Sequence, residues 1–473
     1  MKSVVTAPGP TPVSVVSVDV ERPAVDLSRT TGYDTALVVF RQSGIPREAR
    51  EFDLRRPADV LRDDVAAAAG EIRRPVGDVR VADGALPSIS VVVPTMVSRV
   101  VDLQLLLDGF RAVDYPDVEF ILVDNRSHRP ADDPLDELVA RFAQVRVARA
   151  LRPGISAARN AGVAAARGEI VAFTDDDVRV DPNWLRALGS RFAVEPELDA
   201  VTGMILPAEL ETPAQIWFER YYGGFSGERT FEPVSLHASP SRWKALSGAR
   251  VSVRGADGRS QREFSVYGVG AYGAGANMAF RRSTLRRIGG FDVSLGTGTA
   301  ARGGEDLAAL IAVLFNGGSI GFEPASVVHH RHRREVPELL HQLHGNGLGF
   351  TAMLTSLIRH DGRHLLALAA ALPNAAHRFT AQSLARVRGG AEPEVTASTA
   401  TSEPEVDHGY PRQLLASELR GMPSGPLAYL RSRRANRRWD RGHLNTLPTG
   451  RTTAPSAAAS DVTGRPVAWR RTA

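Results

Sequence analysis

The sequence predicts an α/β fold: a Rossmann-like, mostly parallel sheet flanked by helices, with a small N-terminal subdomain before it and a helical C-terminal extension after it. Two observations carry this. From Ser88 onward, short apolar runs alternate with helix-length stretches, the pattern of a parallel sheet covered on both faces. Three polar residues, Thr95, Asp124 and Asp175, each follow one of those runs. Ligands of such sheets collect beyond the carboxyl ends of the strands.

The elements follow in order. Residues 1–30 are rich in Pro, Val, Thr and Ser without clear periodicity and are expected to be disordered. Residues 31–87 form the small α+β subdomain, with a strand over Ala36 to Phe40, a helix over Pro57–Gly70 and a second strand near Val76–Val81. The main domain spans 88–335. In it Ile89 to Val93, Glu119 to Val123, Val145 to Val147 and Ile170 to Phe173 read as strands. Val101 to Phe110, Leu135 to Phe142 and the small-residue stretch Ile155 to Arg167, closed by Gly168, read as helices. Residues 200–335 are more mixed, with many glycines. A helical extension at 336–388, a linker at 389–412, a basic helical segment at 413–445 and a disordered tail at 446–473 complete the chain.

Composition narrows the chemistry. With no cysteine among 473 residues, disulfides, zinc–thiolate sites and thiol catalysis are excluded. Lysine occurs only at Lys2 and Lys244, so nearly all the positive charge is arginine, a skew that fits biased coding. The net charge of +5 is modest for this length, and no nucleic-acid-binding module accompanies it. No apolar stretch reaches the roughly 18–20 residues of a spanning helix; the best, Leu365 to Leu372, stops at Pro373. Pro8, Pro10 and Pro12 stand where a signal peptide needs its apolar segment. A cytoplasmic location is expected, with a peripheral position at the inner face of the cell membrane as a variant.

The densest chemical statement is Thr174-Asp175-Asp176-Asp177, directly after Ile170 to Phe173. Continued strand alternation would put Asp175 and Asp177 on one face and turn Asp176 away. Two carboxylates on one face repel, and a divalent cation between them relieves that. Taken alone, the run reads rather as a solvated acidic turn capping the following helix.

The order and spacing of eight short motifs resemble a family 2 glycosyltransferase, bacterial and non-processive. They are Val91-Val92-Val93-Pro94-Thr95, Ile121-Leu122-Val123-Asp124-Asn125, Gly154 to Gly162 with Arg159, and the three aspartates. Further on come Gly275-Ala276-Asn277-Met278, Gly289-Gly290-Phe291-Asp292, Gly303-Gly304-Glu305-Asp306 and Val327-Val328-His329-His330-Arg331-His332. The resemblance implies the GT-A fold of nucleotide-diphospho-sugar transferases and an inverting, metal-dependent transfer of one sugar, in a setting such as cell-envelope polysaccharide synthesis. Mn²⁺ or Mg²⁺ is the implied cofactor.

It also implies roles. Pro94, Thr95, Asp124, Arg159 and Asp175 would hold the nucleotide. Asp124 accepts from the base in this scheme, and otherwise ends an ordinary strand-to-turn segment. Arg159 reaches base or phosphate, or else lies on the helix surface. Asp175, Asp177 and His330 would bind the metal, with His329 and His332 as alternatives to His330. Asp306 would be the catalytic base, with Glu305 orienting the acceptor or a neighbouring loop; the pair could instead merely cap the helix that starts there. A carboxylate held by backbone N–H groups is a weak base, so positioning must supply much of the rate. Gly275, Asn277 and Asp292, with Glu305, would shape the sugar and acceptor side.

Arg437-Arg438-Trp439 resembles the end of a processive-synthase motif, but Ala435 stands where that motif needs Gln or Arg. The expected partners are a nucleotide-diphosphate sugar and a saccharide, lipid-linked or small-molecule acceptor, with no nucleic acid. A basic patch at 427–438 either touches an anionic membrane or is a solvated face. A nucleotidyltransferase is the first alternative, weakened because Val93 to Val97 lacks the glycines and lysine of a phosphate loop. A non-catalytic nucleotide-sugar-binding protein is the second.

Overall fold

The computed structural model describes residues 10–24, 30–73, 81–225, 230–243, 246–371 and 411–444. The expected strand near Val76, the 389–410 part of the expected linker and the tail at 446–473 lie outside them.

The N-terminal unit is a three-stranded sheet. β1 (Val13–Asp19) pairs in parallel with β2 (Thr35–Gln42), and β3 (Ile45–Asp53) returns antiparallel. Ser43 and Gly44, both at positive φ, make the two-residue turn that suits a twisted hairpin. α1 (Ala58–Ile72) closes one face with Leu61, Val65, Ala69 and Ile72. β1 corrects the expectation of disorder over 1–30. Its valines are buried by pairing with a segment some twenty residues on and by packing on α1 and on Leu210 and Ile216, contacts that local composition does not report.

Among the described residues the main sheet has eleven strands, and its parallel part is the one expected. β4 (Ile89–Thr95), β5 (Val118–Asp124), β6 (Val145–Arg149) and β7 (Ile170–Phe173) run in the order β7-β4-β5-β6, all parallel. These strands are nearly all apolar because helices cover both faces. The helices between them are α2 (Val100–Phe110), α3 (Leu135–Ala140) and α4 (Ile155–Ala165). Gly162 of α4 sits so close to Val92 that a Cβ there would collide with its side chain. That explains the small residues of α4.

Beyond β7 the sheet becomes mixed. β8 (Val178–Val180) is short, α5 (Trp184–Val194) packs on the sheet, and β9 (Ala200–Pro207) follows. α6 (Pro213–Ile216) leads into a π-helical turn, Trp217–Tyr221. β10 (Val234–Ala238), β11 (Arg250–Arg254) and β12 (Ser260–Ser265) form an antiparallel meander at one edge. β13 (Met278–Arg281) inserts antiparallel between β7 and β9. After α7 (Arg282–Ile288) and α8 (Glu305–Phe315), β14 (Ser319–His330) pairs in parallel with β9 and brings its last residues beside β8. That pairing carries His330 across more than 150 residues of sequence to Val178, next to the aspartates.

The C-terminal helices are part of the same packing. α9 (Val336–His360) is followed by α10 (363–371), α11 (Arg412–Gly421) and α12 (Gly425–Leu444). Glycines of α9 let neighbours approach: a Cβ on Gly347 would strike the Glu418 backbone of α11, and one on Gly349 the Gly303 backbone before α8. α12 buries Ala428, Tyr429 and Ser432, three residues of its inner face. The outer face carries Leu427 and Leu430, then Arg431, Arg434, Arg437, Arg438 and Arg441. Among the described residues, no helix is long and apolar enough to cross a membrane.

Candidate active site

β4, β5 and β7 end side by side, so Thr95, Asp124 and the three aspartates share one edge of the parallel sheet. The strand geometry expected for the aspartates is wrong in detail. β7 stops at Phe173, and 174–177 form a turn, so their directions follow from turn geometry instead of alternation. The pairing of Asp175 with Asp177 nevertheless stands. One ligand oxygen from each and one ring nitrogen of His330 all lie within 4.8 Å of one another.

Asp176 does not point away from the site. It accepts a 2.6 Å hydrogen bond from Thr95 Oγ1, which also accepts the Val97 N–H. Val97 is held at φ +53°, a costly conformation for a β-branched residue.

The charges around the turn are unbalanced. Burial and the neighbouring Asp177 push the Asp175 carboxyl above the ordinary range, against Arg159. Burial and the flanking aspartates raise Asp176 to about 6. Asp177 overcomes its own burial through His330 and Arg99 and sits at about 2. His330 Nε2 is 3.2 Å from Asp177 Oδ1. Burial disfavours a charged ring there, but the carboxylates outweigh it and raise the His330 value. Arg99 pairs with Asp177, and Arg333 approaches the same oxygen at 3.9 Å. Cationic side chains thus converge on Asp177 while Asp175 and Asp176 remain short of positive charge. Two carboxylates and an imidazole form a donor set suited to Mn²⁺ or Mg²⁺, and the residues fit that ion. Of the other histidines, His329 pairs with Arg179 in the sheet and is pushed down to about 4 by burial and nearby arginine. His332 turns to Glu219.

Several expected roles change. Arg159 is 1% exposed and is neither a surface arginine nor free to take a phosphate. It donates to Glu305 Oε1 at 2.7 Å, Asp175 Oδ1 at 3.3 Å and the Gly275 carbonyl at 3.3 Å. It is a strut between the cluster of Asp175, Asp177 and His330 and the helix that begins at Glu305. Asp124 stands at the end of β5 as expected, but it is fully buried and takes four hydrogen bonds from Arg126 and Arg129. Against the cost of burial, those bonds hold its carboxyl below the ordinary range. It reaches a base only if an arginine lets go. Pro94 is buried within β4, and Thr95 lines the edge.

On the acceptor side, Asn277 is fully buried and fully used. It accepts from Trp184 Nε1 and donates to the carbonyls of Met204 and Ser326. It locks strands together and cannot touch a sugar. Asp292 is also buried, taken by Ser356 Oγ at 2.6 Å, Tyr429 OH at 3.0 Å and the Ser294 N–H. At Gly275 a Cβ would collide with Arg159, which by itself accounts for the small residue.

The pair expected to be catalytic, Glu305 and Asp306, divides cleanly. Gly304, at φ +85°, turns the chain into α8. Glu305 is buried against Arg159, and burial and the charge of Asp306 push its carboxyl up despite that arginine. It holds the loop instead of facing an acceptor. Asp306 is only part-buried, with Oδ2 accepting from the Gly275 N–H and Oδ1 from the Leu307 N–H, both at 2.8 Å. Arg99, Arg333 and Glu219 were not singled out from sequence; each is an arginine or glutamate outside the motifs above. His332 was named there only as an alternative metal ligand, and its contact with Glu219 was not foreseen.

A family model for family 2 glycosyl transferases matches residues 90–289. The chain carries a family 2 glycosyltransferase domain. The matched stretch includes Thr95, Asp124, Arg159, the aspartates and Asn277, while Asp292, Asp306 and His330 lie beyond it. The chain is 27% identical over 228 residues to a probable N-acetylgalactosaminyltransferase of Caenorhabditis elegans, covering 46% of this chain and 35% of that protein. It is 27% identical over 285 residues to a pre-mycofactocin glycosyltransferase of Mycobacterium tuberculosis, covering 58% and 50%. The chain therefore spans between about a third and a half of these curated relatives. A solved mannosyltransferase structure from Pyrobaculum calidifontis, in complex with GDP-Man and Mn²⁺, is 18% identical with a TM-score of 0.41, covering 79% of this chain and 93% of that one.

Proposed function

We propose that this chain is an inverting, metal-dependent glycosyltransferase that moves one sugar from a nucleotide-diphosphate donor to an acceptor hydroxyl. The observation that carries this is the convergence of Asp175, Asp177 and His330, with Arg159 tying Asp175 to the helix that begins at Glu305 and Asp306. Asp175, Asp177 and His330 would hold Mn²⁺ or Mg²⁺, which when bound neutralises charge developing on the leaving diphosphate. Asp306 receives the acceptor proton as the hydroxyl oxygen attacks C1 from the face opposite the diphosphate. The C1–O bond to phosphate breaks, and the nucleoside diphosphate leaves with that electron pair. The two backbone N–H groups on Asp306 fix its orientation, so positioning supplies much of its effect. Asp176 and Thr95 shape the nucleotide edge. Two relatives named above are described as glycosyltransferases, which supports the reaction class.

Screening UDP-, GDP- and dTDP-sugars by thermal shift tests the reading. One donor is expected to raise the melting temperature only with Mn²⁺ present, since a ligand at 100 times its Kd adds about 2.7 kcal/mol. The same donor should then yield free nucleoside diphosphate. Stabilisation by no donor, with or without metal, counts against the proposal.

The outer face of α12 supports a peripheral position at an anionic membrane and, with it, a lipid-linked acceptor. Each arginine near such a surface contributes about 1 kcal/mol. The protein is expected to sediment with phosphatidylglycerol vesicles at low salt and not with phosphatidylcholine vesicles. R434E/R437E should abolish that difference. Equal sedimentation with both vesicle types would make α12 a solvated face.

A further inference from the structure

A histidine ligates a cation only through a ring nitrogen without a proton, and its other nitrogen decides which one that is. His330 faces Asp177 with Nε2, while its Nδ1 lies 3.3 Å from Nδ1 of His332. His332 Nε2 in turn lies 2.9 Å from Glu219 Oε2. All three side chains are buried. Phe225 packs on His330 and Phe218 on His332, with ring centres 4.5 Å and 4.9 Å apart. Glu219 belongs to the π-helical turn at 217–221, an irregularity that recurs at functional positions.

With Glu219 ionised and His332 neutral, these contacts set the order of protons along the row. An ionised carboxylate only accepts, so His332 Nε2 carries a hydrogen. A neutral His332 then has a bare Nδ1, which can only accept. The nitrogen–nitrogen contact needs one donor and one acceptor, so His330 donates from Nδ1. Its Nε2 is left to share a lone pair with whatever lies between Asp175 and Asp177.

We propose that Glu219 and His332 are positioning residues that hold His330 in its Nδ1–H form and so aim Nε2 at a cation bound by Asp175 and Asp177. The proposal rests on the metal reading above. It goes beyond it by giving work to two buried residues outside the ligand set, one of them on a separate element between β9 and β10. Glu219→Gln is the informative substitution, because an amide can present either a donor or an acceptor and no longer dictates the row.

The test is the Mn²⁺ dissociation constant, read from the electron paramagnetic resonance of free Mn²⁺ at one fixed pH, with and without UDP or GDP. Glu219→Gln is expected to weaken binding 10–100-fold, and Glu219→Asp to restore most of it. His332→Phe should weaken it at least as much; circular dichroism confirms which variants are folded. Long-range ¹H–¹⁵N spectra of the Mg²⁺-loaded protein should show His330 protonated at Nδ1, and a mixture of forms in Glu219→Gln. A purely structural role would lower the melting temperature and leave both readouts unchanged in the folded variants. Binding within twofold of wild type in folded Glu219→Gln, or a wild-type His330 protonated at Nε2 in the Mg²⁺-loaded protein, overturns the proposal. If Asp177→Ala loses Mn²⁺ while Glu219→Gln keeps it, only this proposal fails. If the unmodified protein binds no Mn²⁺ under either condition, the metal reading fails and this proposal with it.

Discussion

Asp177→Ala is expected to lose Mn²⁺-dependent donor binding and to reduce sugar transfer by at least about 10³-fold, equivalent to roughly 4 kcal/mol of transition-state stabilisation. Asp177 is the carboxylate on which His330, Arg99 and Arg333 converge. It is also the one member of the acidic turn held low, at about 2, and so remains ionised at any working pH. Removing it takes away a proposed cation ligand and leaves His330, Arg99 and Arg333 without the carboxylate they share. Part of any loss could then come from a weakened fold, so Asp177→Asn is the companion variant. It keeps the size and one hydrogen-bond acceptor while removing the charge. The measurement is transfer rate against Mn²⁺ concentration, alongside the melting temperature. A folded Asp177→Asn protein with an unchanged Mn²⁺ dependence would show that the metal, if used, binds elsewhere.

The second large effect falls on rate and spares affinity. Asp306→Asn is expected to bind the donor as tightly as the native protein and to transfer 10²–10⁴-fold more slowly, the usual contribution of a general base. Both carboxylate oxygens of Asp306 accept backbone N–H groups, so an asparagine turns its amide nitrogen toward one donor. That costs about 1–3 kcal/mol of local stability. Donor affinity from calorimetry and single-turnover transfer separate binding from chemistry. Transfer within tenfold of wild type would remove Asp306 as the base. Glu305 would then be the next carboxylate to test, although its bond to Arg159 turns it inward.

Much of this arrangement was legible in sequence because it is carried by short-range signals. The strands of the site half carry the apolar runs Val91 to Pro94, Phe120 to Val123 and Ile170 to Phe173, and a run buried on both faces needs no partner information to be recognised. Asp175, Asp177 and His330 were legible because their motifs keep order, and the β8–β14 pairing then brings them together. Arg159 and Asn277 were placed in the cleft because their motifs belong to it. What decides their role is the partner across the core: Glu305 for one, and Trp184 with two strand carbonyls for the other. No local pattern encodes those contacts. Asp124 was found at the right place, but Arg126 and Arg129, two and five residues on, close over it. The Glu219–His332 contact joins residues 113 apart without a shared motif, so only the folded chain reveals it.

α12 has one further consequence. On its inner side Tyr429 holds Asp292, and Asn436 holds the carbonyl of Val293. On its outer side stand Arg434, Arg437 and Arg438. An α-helix with its side chains is about 10–12 Å across. Whatever engages those arginines therefore meets the 292–294 loop through a single helix.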